Sequence, residues 1–146
     1  MKRIFGKNLK KAIQMLTDGD YTCVLCKGDI VYTCEKRGVK PLLDWYDSDL
    51  NLKGFSAADK VVGNAAAFIY VLLGIKEVHA LVMSEAAGRT LQENGISASC
   101  DRLVKGIMNR TGTGPCPMEA AVHGITKPEQ ALEAVRKCLA ALSNSR

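Results

Sequence analysis

Near the amino end, apolar residues recur at helical spacing at Leu9, Ala12, Ile13 and Leu16, while Lys10, Lys11 and Gln14 fall elsewhere. Positions 6–17 therefore predict a first helix. Asp18-Gly19-Asp20 ends it, with Gly19 suited to a left-handed cap. Positions 21–27 and 30–35 are β-rich runs separated by Gly28-Asp29, with glycine first as a two-residue type II′ hairpin turn requires. Cys23-Val24-Leu25-Cys26 has the spelling of a CxxC motif. On a strand, however, positions i and i+3 point to opposite faces, so the two sulfurs cannot share a ligand.

Positions 37–53 lack periodicity and carry Gly38, Pro41 and Asp/Ser clusters, with one or two helical turns readable at 41–46. Two readings stay open there: a flap that offers Arg37 and Lys40 to an anion, or a cover over a sheet edge anchored by Trp45. The clearest helical pattern spans 56–73. Ser56-Ala57-Ala58-Asp59 resembles a capping box, and the run after Lys60 is almost entirely apolar to Leu73, as a helix buried on all sides requires. Its polar positions, Asp59, Lys60 and Asn64, cluster at one end with Gly63, a costly mid-helix residue unless something must come close.

Positions 77–84 read as a central strand, interrupted by His79, whose simplest role is structural. A helix over 88–94 and a strand over 96–100 follow; 103–108 fits either type. Ala131, Leu132, Val135, Cys138, Leu139 and Leu142 form the stripe of a last helix over 126–142, and 143–146 read as a frayed tail. Alternating strands and helices after a hairpin predict an α/β domain with three α/β/α layers. Its sheet is mixed, of about five strands, with the hairpin at the N-terminal side, and residues 1–146 form a single domain. In such sheets ligands sit beyond the carboxyl ends of parallel strands, near helix N-termini. Ser56, Asp59, Lys60 and Asn64 at one such end, and Ser84 with Glu85 at another, are the candidate binding groups.

Composition narrows the function classes. The chain of 146 residues is 47% hydrophobic and 24% charged, as in ordinary soluble domains. Aromatic residues at 5% argue against a stacking surface for single-stranded nucleic acid. The net charge of +5 suits small anionic molecules but is too mild to imply nucleic-acid binding. Met1-Lys2-Arg3 is not followed by an apolar run of signal length, and no apolar stretch is long enough to cross a bilayer, which predicts a cytoplasmic protein without a membrane partner. The six cysteines are irregularly spaced, as reduced thiols would be.

The segment densest in special residues is Asn109-Arg110-Thr111-Gly112-Thr113-Gly114-Pro115-Cys116-Pro117-Met118-Glu119. Thr111, Gly112, Thr113 and Gly114 offer hydroxyls and backbone N–H groups, and Arg110 adds a bidentate donor, which together make an anion cradle. The alternative is a rigid turn with Arg110 paired inside the fold. Cys116 at a helix start is the best nucleophile candidate, with Glu85, Glu119 or His123 as acid or base. Its alternative is a packed core cysteine.

The stretches 58–67, Met83-Ser84-Glu85 and 109–119 resemble the signatures of a prokaryotic domain family of unknown function within the cytidine-deaminase-like superfamily. The resemblance implies a cytidine-deaminase-like fold and no settled activity. Working deaminases hold zinc through H-x-E or C-x-E at the start of the buried helix and P-C-x-x-C at the next. Here the corresponding places read Asp59-Lys60-Val61 and Glu85-Ala86-Ala87-Gly88-Arg89. The expectation is a protein with neither zinc nor another cofactor, not a standard zinc deaminase, that binds a small anionic, nucleotide-like ligand at the N-terminus of the buried helix. An enzyme using Cys116 as nucleophile, of hydrolase or transferase type, and a non-catalytic regulatory or homo-oligomeric domain are the alternatives.

Overall fold

The computed structural model describes residues 5–109 and 111–144. The basic start Met1-Lys2-Arg3, Arg110 and the tail residues Ser145 and Arg146 lie outside the described residues. Chain order is α1 (Lys7–Asp18), β1 (Cys23–Lys27), β2 (Ile30–Cys34), α2 (Lys40–Asp47), β3 (Ser56–Val62), α3 (Asn64–Leu73), β4 (Glu77–Ser84), α4 (Glu85–Glu93), β5 (Ser97–Val104), α5 (Pro117–Ala121) and α6 (Pro128–Asn144). The five strands form one sheet in the order β2-β1-β3-β4-β5. β1 pairs antiparallel with both β2 and β3, whereas β3, β4 and β5 run parallel. The sheet is mixed and the class is α/β.

Alternation along β1 divides the core. Cys23 and Leu25 face one cluster with α3, while Val24 and Cys26 face another with Ala12 and Leu16 of α1. The two cysteines of the CxxC spelling therefore point to opposite sides of the sheet, as strand geometry demands. Helix α1 covers one face, and residues of α2 through α6 pack into the cluster on the other. The β1–β2 hairpin follows α1 and turns at Gly28, whose φ of +60° is open to glycine at little cost. No non-glycine residue among the described residues has positive φ, so Asp29 does not, and the turn is of the II′ rather than the I′ kind. Gly19 departs from expectation: it ends α1 in extended backbone, φ −112° and ψ 178°, with the ring of Tyr21 against it.

The main correction falls on 56–73. This stretch is a strand, Ser56–Val62, then a helix, Asn64–Leu73, with Gly63 between them. Ala57 and Ala58 are fully buried in opposite core clusters. Burial on both faces removes the polar/apolar alternation that marks a half-buried strand, and alanine's small size admits helices on both sides. Smaller corrections follow: 40–47 is a true helix, α4 starts at Glu85 rather than Gly88, and the ambiguous run from Leu103 resolves into strand through Val104. Helix α6 continues to Asn144, so Ser143 and Asn144 are helical rather than part of a tail.

A cleft at the carboxyl end of the third strand

The strand-to-helix turn at Gly63 positions the candidate site. Beyond the carboxyl end of β3 lies a cleft of about 450 Å³. Its walls come from the open end of the hairpin (Thr22, Cys23, Cys34), the segment entering α2, the end of β3, and the chain on either side of the 109–114 turn. Lys36, Arg37 and Lys60 line it, and none of them makes an ion pair among the described residues. Val61 and Met108 also line it and are 47% and 54% exposed.

A hydrogen-bonded chain forms part of the cleft wall. The Tyr70 hydroxyl donates to Asp59 Oδ2 at 2.6 Å, and the Tyr70 hydroxyl oxygen lies 3.2 Å from the Cys23 sulfur. Tyr70 is fully buried within α3, where an unpartnered phenol would be costly, and Asp59 relieves that cost. Burial pushes the Asp59 carboxyl up to about 6, against the pull of the Tyr70 hydroxyl and the N–H groups of Val61 and Lys60. Burial, with the Asp59 charge beside it, also pushes the Cys23 thiol well up.

A second carboxylate, Glu119 of α5, reaches the first turn of α3. Its Oε1 accepts from Asn64 N–H at 2.6 Å and its Oε2 from Ala65 N–H at 3.0 Å. Two amides that the helix itself leaves unpaired are thereby satisfied, and a negative charge sits at the positive end of the helix. Gly63 makes room for this: a Cβ there would lie 2.6 Å from Glu119 Oε1. The close approach that a glycine at this position demands is therefore made by Glu119.

The other sequence-predicted residues distribute as follows. Asp59, Lys60, Cys116 and Glu119 line the cleft. Asn64 stands beside it, its N–H held by Glu119 and its side-chain oxygen accepting from Thr90. Ser56 lies at the opposite end of β3, buried and hydrogen-bonded to Glu77. Ser84 caps α4 by accepting from Ala87 N–H at 3.1 Å, and Glu85 is exposed on the first turn of that helix; neither lines the cleft. Thr111, Gly112, Thr113 and Gly114 form an exposed turn closed by the Met108–Pro115 bridge. There Asn109 Oδ1 accepts from Thr113 N–H, Gly112 N–H bonds the Asn109 carbonyl, and the threonine hydroxyls pair at 2.8 Å. Much of the expected cradle is thus spent on the turn itself. Arg110, its cationic member, lies outside the described residues.

Cys116 precedes α5, and His123 is exposed beyond the end of that helix, away from the cleft lining. His79 is buried and satisfied by Ser99 at 2.7 Å and Asp101 at 3.1 Å, as a structural histidine should be. None of the six cysteines forms a disulfide. Among the described residues, no group of three or more His, Cys, Asp and Glu is placed to hold a metal ion. No helix among them is long and apolar enough to cross a membrane.

Sequence reasoning missed Tyr70, Cys34 and Lys36. Tyr70 had a signal: it is the one hydroxyl in the apolar run of α3, and a buried phenol needs a partner.

The family model described as "Domain of unknown function (DUF1893)" matches residues 11–139. A solved structure, the crystal structure of a DUF1893 family protein (TM1506) from Thermotoga maritima at 2.70 Å resolution, is similar to this chain with a TM-score of 0.81 and 28% identity. The match covers 94% of this chain and 92% of that one. No curated protein matches.

Proposed function

Since this chain belongs to the DUF1893 family, whose description assigns no activity, we propose from the cleft alone that the protein binds a small anionic, nucleotide-like molecule beyond the carboxyl end of β3. The observation that carries this reading is the division of the cleft by chemistry. Lys36, Arg37 and Lys60 supply cations without an ion pair among the described residues, Asp59 and Glu119 supply acceptors, and Val61 and Met108 offer exposed apolar surface. Phosphate suits the first group, the amino and imino donors of a base suit the second, and a flat ring suits the third. The volume of about 450 Å³ falls in the range of small-molecule sites.

The N-terminus of α3 is not the anion site in this reading, because Glu119 already occupies its amides. The anion is held by side chains instead. The hairpin, the mixed sheet and the two parallel crossovers support a cytidine-deaminase-like fold. The start of α3, now placed at Asn64-Ala65-Ala66, and Ser84-Glu85 at the start of α4 lack the donor set that zinc deaminases use. This supports a binding role without zinc over deamination.

Thermal unfolding with millimolar nucleoside mono-, di- and triphosphates tests the proposal by mass action. At least one nucleotide should raise the midpoint, and Arg37→Ala with Lys60→Ala should weaken its binding by roughly tenfold or more. A screen with no stabilisation, or stabilisation that survives both substitutions, sinks the reading. A second reading is favoured by one observation: Cys116 lines the same cleft. A Cys116-dependent turnover that Cys116→Ala abolishes would establish it.

A further inference from the structure

Cys23 and Cys34 stand directly opposite each other across the hairpin, and both line the cleft. Facing residues of an antiparallel pair have Cα atoms about 4.5–5.5 Å apart, inside the range a disulfide spans. Their side chains share a face: Cys23 belongs to the core cluster of α3, and Cys34 packs against that cluster. Thr22 N–H also donates to the Cys34 carbonyl, at 2.7 Å, so Thr22 and Cys23 both meet one residue of β2. That is the arrangement of a β-bulge, a device that re-aims side chains next to sites.

The two thiols differ in surroundings. Cys34 is partly exposed, and Lys36 N–H donates to its sulfur at 3.3 Å. Cys23 is buried and joined through the Tyr70 hydroxyl to the Asp59 carboxylate. One sulfur is reachable by a small reagent, and the other sits at the end of a proton path.

We propose that Cys34 and Cys23 form a peroxide-responsive dithiol, in which Cys34 is oxidised first and Cys23 closes the disulfide. In the first step the Cys34 thiolate attacks one oxygen of a hydroperoxide. An S–O bond forms, the O–O bond breaks, and the departing alkoxide or hydroxide takes a proton to leave as alcohol or water. In the second step Cys23 gives its proton to Tyr70 as Tyr70 passes its own to Asp59, and its sulfur attacks Cys34. The S–S bond forms and the S–O bond breaks, and the departing hydroxide takes a proton from solvent to leave as water, while Asp59 returns the Cys23 proton to solvent. Two thiols lose two electrons and two protons, and the peroxide takes up both. Closure takes the Cys23 proton out of the contact with Tyr70, at the wall of the cleft.

The test uses the full chain and hydrogen peroxide, without nucleotide, so its outcome is independent of the ligand-binding reading. Intact mass should fall by two hydrogens, reversibly with dithiothreitol, and peptide mapping should join Cys23 to Cys34. Cys23→Ser should stop the chemistry at a sulfenic acid on Cys34, trapped by dimedone. Asp59→Asn should slow closure by roughly tenfold or more relative to the first oxidation, as loss of a proton acceptor predicts. Mapping on the unaltered chain requires no variant to fold. Oxidation that joins other cysteines, or dimedone that labels Cys116 or Cys138 in place of Cys34, overturns the proposal.

Discussion

At Gly63 a missing side chain decides what a distant one does. The residue has ordinary extended backbone, φ −92° and ψ 178°, so conformational freedom is not its reason. Space is, because the Glu119 carboxylate occupies the place of a Cβ. Gly63→Ala must push Glu119 off the amides of Asn64 and Ala65 or strain the turn. Urea denaturation should show a loss of about 1–3 kcal/mol, the usual cost of overpacking. Because the clash and the lost bonds share one partner, Gly63→Ala combined with Glu119→Ala should cost less than the sum of the single changes. Strict additivity would show that the two residues do not interact. Part of this was legible beforehand: a glycine inside an apolar run announces a close approach. Its partner was not, because Glu119 lies 55 residues away from Asn64 and no local pattern links the two.

Elements were readable where one face is wet. Helices α1 and α6 show clear stripes, and the Gly28-Asp29 turn sets the β1–β2 register, which carries Cys23 opposite Cys34. The strand β3 was lost into the helix after it because both its faces are covered and its alanines favour helix on propensity. That error also moved the expected ligand groups, since a helix starting at 56 would bring Ser56 beside Asp59, whereas a strand, with its period of two, turns them to opposite faces. The short α5 places Met118 in the core and Glu119 as a cap on α3. Glu119→Ala should cost about 1–2 kcal/mol, as removal of a charged cap does. Hydrogen exchange should locate the effect, with the Asn64 and Ala65 amides exchanging faster while those from Phe68 onward stay protected. Uniform protection along α3 would show that water replaces the carboxylate at no cost.

For the molecule as a whole, the mixed α/β sheet was predictable from element order, but the polar chain beneath the cleft was not, because it joins β1, β3 and α3 only after folding. That chain links function to stability. The Asp59 carboxyl titrates near 3.8 when exposed and at about 6 in the folded protein. Between those values the folded state holds more protons than the unfolded one, so raising the pH favours unfolding, and the penalty is complete above about 6. Asp59→Asn keeps an acceptor for Tyr70 but cannot ionise. Relative to the parent, this variant should gain stability as pH rises from 4 to 7.5, by on the order of 1–3 kcal/mol. Denaturation midpoints at several pH values, with the Asp59 titration followed directly by NMR, measure both sides of the linkage. A stability difference that does not change with pH would mean that Asp59 is better solvated than its place in the wall implies. A difference that grows over this window would mean that the fold accepts a destabilising carboxylate there, a cost consistent with a group kept for binding or proton transfer rather than for stability.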